Sequence, residues 1–256
     1  MRRRRTLVAF AALVVLGASA GVIHAITNGV PDGNGHPYVG ALYFPQTGVL
    51  CSGSLIAPRV VLTAGHCTYG STEALVTFET DFFSSGFPLA SAEVHTHPGF
   101  SWNWQGLLGW DSVDVGIVIL ADAQAGPTAA LPTEGLVDSL PMKTPVDIVG
   151  YGVQYKASVS GPPRGRWMLD GKRYYAPSQI VASENLNSDV WLKLTANPAQ
   201  GKGGICFGDS GGPDLLGNTI LATNSFVANG NCSGVTYGAR IDNADVLDWV
   251  NAFVMR

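Results

Sequence analysis

The 256-residue sequence predicts an all-β fold: two antiparallel β-barrels in series, followed by a C-terminal helix. Three observations carry that prediction. Short runs rich in β-branched and aromatic residues recur along the chain, broken by Gly, Pro, Asn and Ser. The 32 glycines and 15 prolines are spread among these runs and do not gather into a linker. No regular βαβ alternation occurs, which argues against a parallel doubly wound sheet. With 46% hydrophobic and 13% charged residues, the chain has ample apolar material for one large unit or two small packed ones. It carries no low-complexity tract and no fixed-period repeat.

Residues 1–25, "MRRRRTLVAFAALVVLGASAGVIHA", join a basic start (Arg2–Arg5), a short apolar run from Leu7 to Leu16 and small residues at the end. That pattern is a secretory signal, with room for a short pro-segment, and it predicts an extracellular protein. The alternative is an uncleaved anchor. Its run through Ile23 is broken by Gly17, Ser19 and Gly21 and is short for a membrane span. Removing the segment takes away four arginines and no acid. This leaves 11 Lys and Arg against 19 Asp and Glu and moves the net charge from −4 to −8. An acidic mature chain without a basic patch is a poor candidate for binding nucleic acid or anionic membranes.

The first barrel is predicted within residues 26–126. Its strand-like runs are 37–44 ("PYVGALYF"), 48–57 ("GVLCSGSLIA"), 59–65 ("RVVLTAG"), 73–80 ("EALVTFET") and 114–120 ("DVGIVIL"). Residues 127–141, poor in strand pattern, read as the connection. The second barrel, within 127–256, contains the runs 146–152, 188–194 and 218–227. At the end, Val246, Leu247, Val250 and Phe253 recur at helical spacing, with Asp242 or Asn243 available as a cap. This helix is expected to dock on the second barrel.

Four cysteines, Cys51, Cys67, Cys206 and Cys232, fall in the exported part. An even count in an oxidising compartment points to two disulfides, with three pairings open and Cys51–Cys67 with Cys206–Cys232 the simplest. No C-x-x-C spacing favours a metal site.

The chemistry concentrates around "CFGDSGGP", residues 206–213. Alone, Gly-Asp-Ser-Gly is compatible with an ordinary turn. A nucleophilic Ser210 needs a base and an orienting acid. Of the five histidines, His24 lies in the leader and His36 in a Gly/Pro-rich loop, while His95 and His97 form an H-x-H pair with no evident third ligand. His66 follows a strongly apolar strand and a small turn, next to Cys67, which is the rigid mounting a general base requires. Asp114, at the mouth of "DVGIVIL", is the candidate to fix its tautomer, and Asp111 is the nearby alternative. "GDSGG" also matches the G-x-S-x-G elbow of α/β-hydrolases. No histidine follows Ser210, however, so that order is excluded.

With "LTAGHC", "DVGIVIL" and "GDSGGP" in this order, the chain resembles the chymotrypsin/trypsin-like serine proteases over roughly residues 26–256. The resemblance implies two packed six-stranded barrels and a secreted endopeptidase that works through an acyl-enzyme. It assigns His66, Asp114 and Ser210 to the triad, and the backbone N–H groups of Gly208 and Ser210 to the oxyanion hole. Ser225 resembles the serine that supports the triad aspartate. "ITNG" resembles a mature start, so Ile26 would give its new ammonium to Asp209. The preceding "GVIHA" does not end in Lys or Arg. Two routes could expose Ile26: signal peptidase cutting after Ala25, or a cut after Ala20 followed by removal of a five-residue pro-segment.

The same resemblance places Gly204 at the base of the specificity pocket and Val227 and Gly234 on its walls. Without a carboxylate at the base, small or medium apolar residues are favoured over Arg and Lys. The basic loop 162–175 resembles the variable loop that borders the cleft, with a solvated surface loop as the alternative, and the three tryptophans of 101–110 either shape a substrate subsite or pack their own loop down. Expected partners are protein or peptide substrates and proteinaceous inhibitors, with the chain a monomer and no cofactor or metal required. A non-catalytic binding protein on the same fold, or an esterase with the same triad, are the alternative functions.

Overall fold

The computed structural model describes residues 25–102, 112–157, 166–182 and 189–256. The leader up to His24, Asp111 and two of the three loop tryptophans (Trp104 and Trp110) lie outside them.

The chain enters through β1 (Val30–Pro31) and then builds a closed barrel from six strands. These are β2 (Val39–Phe44), β3 (Val49–Ala57), β4 (Val60–Thr63), β5 (Leu75–Thr77), β6 (Leu89–Thr96) and β7 (Gly116–Leu120). They close in the order β2-β3-β4-β7-β6-β5, each pair antiparallel. The connection carries one helical turn, Leu136–Ser139. The second barrel follows with β8 (Pro145–Gly150), a small hairpin of β9 (Tyr155–Ala157) and β10 (Arg166–Met168), β11 (Tyr174–Ala182), β12 (Trp191–Ala196), β13 (Pro213–Leu216), β14 (Thr219–Val227) and β15 (Gly234–Arg240). Six of these run β11-β12-β15-β14-β13-β8, and β8 closes on β11. Strand β1 pairs with β11, so the leading segment is stitched to the second barrel before the first is built.

The eight runs expected from the sequence all carry strands; seven begin one to three residues inside their run, and β8 begins at Pro145, one residue ahead of its run. Strands β6, β11, β13 and β15 were not among them. β6 (LASAEVHT) is only partly buried and polar on alternate residues. β13 (PDLL) starts on a proline, which a strand tolerates at its first residue, and β15 (GVTYGAR) holds two glycines that weaken its pattern.

The terminal helix spans Ala244–Val254 and buries Val246, Leu247, Val250 and Phe253, the apolar stripe the spacing predicts. Its docking differs from expectation. The helix packs against the first barrel, not the second: Trp249 meets the His97 ring at 4.9 Å and Phe253 meets His95 at 4.7 Å. Neither predicted cap works through its side chain. Asn243 holds the cap position without a side-chain bond, and Asp242 is taken by Arg240 and by the Val137 N–H.

A second buried guanidinium bolts the molecule together. The Arg173 side chain has no exposed surface. It donates to Asp32 (2.8 Å), to the Val39 and Phe78 carbonyls of the first barrel (2.9 and 3.0 Å), to the Tyr151 hydroxyl (3.1 Å) and to the Gly33 carbonyl (3.2 Å). Burial pushes the Asp32 carboxyl up, but bonds from the His36 ring and backbone and from Arg173 outweigh that and hold it at about 2. Removing one partner from such a pair strands a buried charge. Arg173→Met is therefore expected to destabilise the protein by about 3–5 kcal/mol in urea unfolding, and the double variant with Asp32→Leu to recover part of that loss.

Candidate active site

Strand β4 ends at Thr63, and the chain turns through Ala64 into a single helical turn, Gly65–Thr68, which carries His66. Glycine suits position 65, where a Cβ would stand a tight 3.0 Å from the Phe100 ring and the Val115 carbonyl. The His66 backbone N–H donates to one oxygen of Asp114 and its Nδ1 to the other, both at 2.7 Å. Ser225, in β14 of the second barrel, donates its hydroxyl to the same oxygen as Nδ1. Asp114 itself is 0% exposed.

Burial raises the Asp114 carboxyl and would lower the His66 imidazole. Their mutual attraction and hydrogen bonds reverse both, so the carboxyl is held below its usual range and the imidazole above it. Asp114 therefore stays ionised and Nδ1 keeps its proton, leaving Nε2 as the basic nitrogen.

Four amides of the Cys206–Pro213 loop are committed to acceptors in or beside it. The Cys206 N–H donates to the Asp209 carboxylate, that of Asp209 to the Cys206 carbonyl, that of Gly211 to the Asn224 carbonyl and that of Gly212 to the Asp209 carbonyl. The N–H groups of Gly208 and Ser210 have no acceptor among the described residues. Gly208 needs to be glycine for two reasons: its φ is +99°, and a Cβ would lie 2.9 Å from the Gly152 Cα. At Gly211, φ +78°, a Cβ would collide with Thr63 Oγ1 at 2.1 Å, so the loop wedges into the first barrel.

Two disulfides brace this arrangement. Cys51–Cys67 ties β3 to the turn bearing His66, and Cys206–Cys232 ties the serine loop to the turn before β15. His66 and Ser210 line one cleft of about 390 Å³, together with Trp102, Ile205, Cys206, Phe207, Ser225, Phe226 and Val227. No direct hydrogen bond joins the Ser210 hydroxyl to His66 in this structure, and such contacts often close only around bound substrate. A larger, acidic hollow of about 540 Å³ at the start of the terminal helix contains none of the predicted triad.

The structure does not bring all the predicted pocket residues together. Val227 lines the cleft, whereas Gly204 and Gly234 are absent from its walls. Gly204 pairs with Thr27 in an isolated bridge, and a Cβ there would strike the Ala196 Cβ at 2.2 Å. Gly234 opens β15 at φ +91° with open space around it. Ile205, Phe207 and Phe226 were missed as lining residues. The signal was available, since Ile205 and Phe207 flank Cys206 and Phe226 sits between Ser225 and Val227. Trp102, 56% exposed, reaches the His66 ring at 6.1 Å and packs on Phe100 at 5.4 Å, so it both shapes the cleft and pins its own loop. The His95–His97 pair is engaged otherwise. His95 Nε2 meets Glu93 at 2.7 Å, and His97 Nδ1 accepts from the Gly99 N–H at 3.0 Å.

Ile26 is fully buried, with Ile148 and Ile205 in the same apolar cluster. Its nitrogen is here a peptide nitrogen bonded to Ala25, so it offers no ammonium. Asp209 accepts from the Gly152 and Cys206 N–H groups (both 2.8 Å), and no cation reaches it among the described residues. Burial outweighs those two bonds and pushes its carboxyl up to about 7. Asp214, in β13, has neither carboxylate oxygen hydrogen-bonded, and burial raises it well above the usual range.

The trypsin family model, described as "Trypsin", matches residues 26–250. Human chymotrypsin-like elastase family member 3A is 30% identical over 239 residues, covering 84% of this chain and 83% of the relative. The serine protease SP24D of Anopheles gambiae is 27% identical over 216 residues, covering 80% of this chain and 72% of the relative. Among solved structures, HL collagenase superposes with a TM-score of 0.70 at 18% identity, over 90% of this chain and 98% of its own, a likeness of fold.

A carboxyl raised in the folded state binds a proton that the unfolded chain releases above about pH 4. It therefore stabilises the acid side and loses that contribution as pH rises through the folded value. Asp209 and Asp214 both act in this direction, while Asp32, held at about 2, changes only below about pH 4. The full chain is thus expected to lose stability between pH 5 and pH 8. Asp214→Asn should narrow that difference in urea unfolding at the two pH values.

Proposed function

This chain belongs to the trypsin family of serine endopeptidases, and from that premise we propose that Ser210, His66 and Asp114 are its catalytic triad. One observation carries the assignment. A buried carboxylate grips both the backbone and the ring of a histidine, at a cleft that the histidine shares with the serine. The Ser210 hydroxyl attacks the scissile carbonyl while His66 Nε2 takes its proton. Negative charge then develops on the carbonyl oxygen, and the uncommitted N–H groups of Gly208 and Ser210 meet it. One such donor is worth about 2.7–4 kcal/mol in related chemistry. His66 returns the proton to the leaving amine, and water repeats the sequence on the acyl-enzyme.

Activation follows from Asp209. Cleavage that exposes Ile26 would create an ammonium for a carboxylate that has, among the described residues, two neutral donors, and pairing there would order the oxyanion loop. Residues 1–25 direct export, and the mature chain acts outside the cell on proteins or peptides, within reach of proteinaceous inhibitors, as a monomer.

Substrate preference follows from the cleft walls. Ile205, Phe226 and Val227 are apolar, and among the described residues no carboxylate lines the cleft to hold Lys or Arg. Small and medium aliphatic residues are therefore preferred at the cleaved bond. The 53% exposed Phe207 and the Trp102 ring extend the apolar surface along the rim.

A fluorophosphonate probe should label the mature protein and fail on Ser210→Ala. Absence of labelling on correctly processed protein would point instead to a binding module. Activity should rise with pH as His66 loses its proton, at a value above the usual 6.5 because Asp114 holds the charge. Asp114→Asn should shift that inflection to lower pH and reduce kcat by roughly 10⁴. In a peptide library, cleavage after Ala, Val or Leu is expected to exceed cleavage after Arg or Lys, and a dominant Arg product would overturn the pocket assignment.

A further inference from the structure

Ser52 lies in the middle of β3, 0% exposed, in the barrel opposite the nucleophile loop. Its hydroxyl donates to the Gly208 carbonyl at 3.0 Å and accepts the Tyr151 N–H at 3.0 Å. Its own backbone N–H donates to the Ser210 carbonyl at 2.8 Å, and its carbonyl is held by Thr63 Oγ1 at 2.7 Å. One residue of the first barrel thus holds two carbonyls of the serine loop, one on each side of Asp209.

We propose that Ser52 is a positioning residue for the oxyanion hole, aiming the N–H groups of Gly208 and Ser210 through the carbonyls it clasps. The inference rests on the reading of those two N–H groups as the oxyanion donors. Peptide groups are planar, so a pinned carbonyl fixes the whole unit on either side of the Cα. The Ser210 N–H belongs to the peptide between residues 209 and 210, and Ser52 pins the peptides immediately before and after it. The Gly208 N–H is attached to a glycine at φ +99°, the residue type with the least intrinsic restraint on its torsions. Among the described residues, the Ser52 hydroxyl is the only donor to that glycine's carbonyl. Apart from the Cys67 sulfur lying 3.8 Å from the Ser210 carbonyl, the other contacts of the loop among the described residues close on itself or run to Gly152, Val153 and Asn224 in the second barrel, and none reaches the Gly208 carbonyl. Preorganised donors stabilise a transition state only while they stay aimed, and small misplacements are costly.

The test uses mature protein normalised by active-site titration, so partial misfolding does not enter. Ser52→Ala is expected to lower kcat about tenfold with KM within about twofold. It should weaken a peptide aldehyde, whose tetrahedral adduct places an oxyanion in the hole, by a similar factor. Binding of the matching peptide alcohol, which forms no adduct, should hold. Ser52→Thr and Ser52→Val differ only in the hydroxyl, so a roughly tenfold higher kcat for the threonine variant isolates it if the alanine variant folds poorly. Equal kcat for that pair, or aldehyde and alcohol weakened equally in Ser52→Ala, would reduce Ser52 to a structural residue and overturn the proposal. Labelling of wild type at Ser210 by the fluorophosphonate tests the underlying reading separately.

Discussion

A carboxylate with no exposed surface lies where the two barrels meet, and its demand for hydrogen bonds organises what surrounds it. Asp114 takes two donors from His66 and a third from Ser225 across the seam. An ionised carboxylate cannot be buried without such partners. Satisfying it fixes the turn at Gly65–Thr68, the ring orientation of His66 and the approach of β14 to the first barrel. The imidazole then has one nitrogen committed and one left for chemistry. The contacts that satisfy the buried carboxylate are the ones the proposed mechanism uses.

Strand β3 distributes this order to the nucleophile side. Cys51 is bonded to Cys67, beside His66, and Ser52 holds the carbonyls of Gly208 and Ser210. Two consecutive residues of one strand therefore reference both halves of the site to a single rigid frame. The close contact of Gly211 with Thr63 completes the wedge. Serine and histidine come from different barrels, yet their relative placement does not depend on a flexible hinge.

The site was more legible in the sequence than the surfaces that surround it. His66, Asp114 and Ser210 stand out because each sits in a short motif whose residue types answer local demands: a small turn, a strand mouth, a glycine loop. The docking of the terminal helix was not legible, because its apolar stripe says that a face is buried and not which surface covers it. Trp249 and Phe253 found His97 and His95, which the sequence separates from them by about 150 residues. The cleft walls were legible only in part: Val227 lines the cleft, while Gly204, six residues from Ser210 along the chain, abuts Ala196 of β12, a contact between segments that no motif links. The network of Asp32, Tyr151 and Arg173 left no trace in any motif, since its members are far apart and individually unremarkable.

That network also bears on how such proteins can be recombined. Asp32 and Gly33 belong to the leading segment, Val39 and Phe78 to the first barrel, and Tyr151 and Arg173 to the second. Joining one barrel of this chain to the other barrel of a relative would place a guanidinium at the junction without its acceptors, or acceptors without their donor. The barrels look like natural modules for building hybrids, but the seam contradicts them. What can be transplanted intact is a discontinuous set of contacts, so a workable crossover must carry the leading segment together with the barrel that holds Arg173.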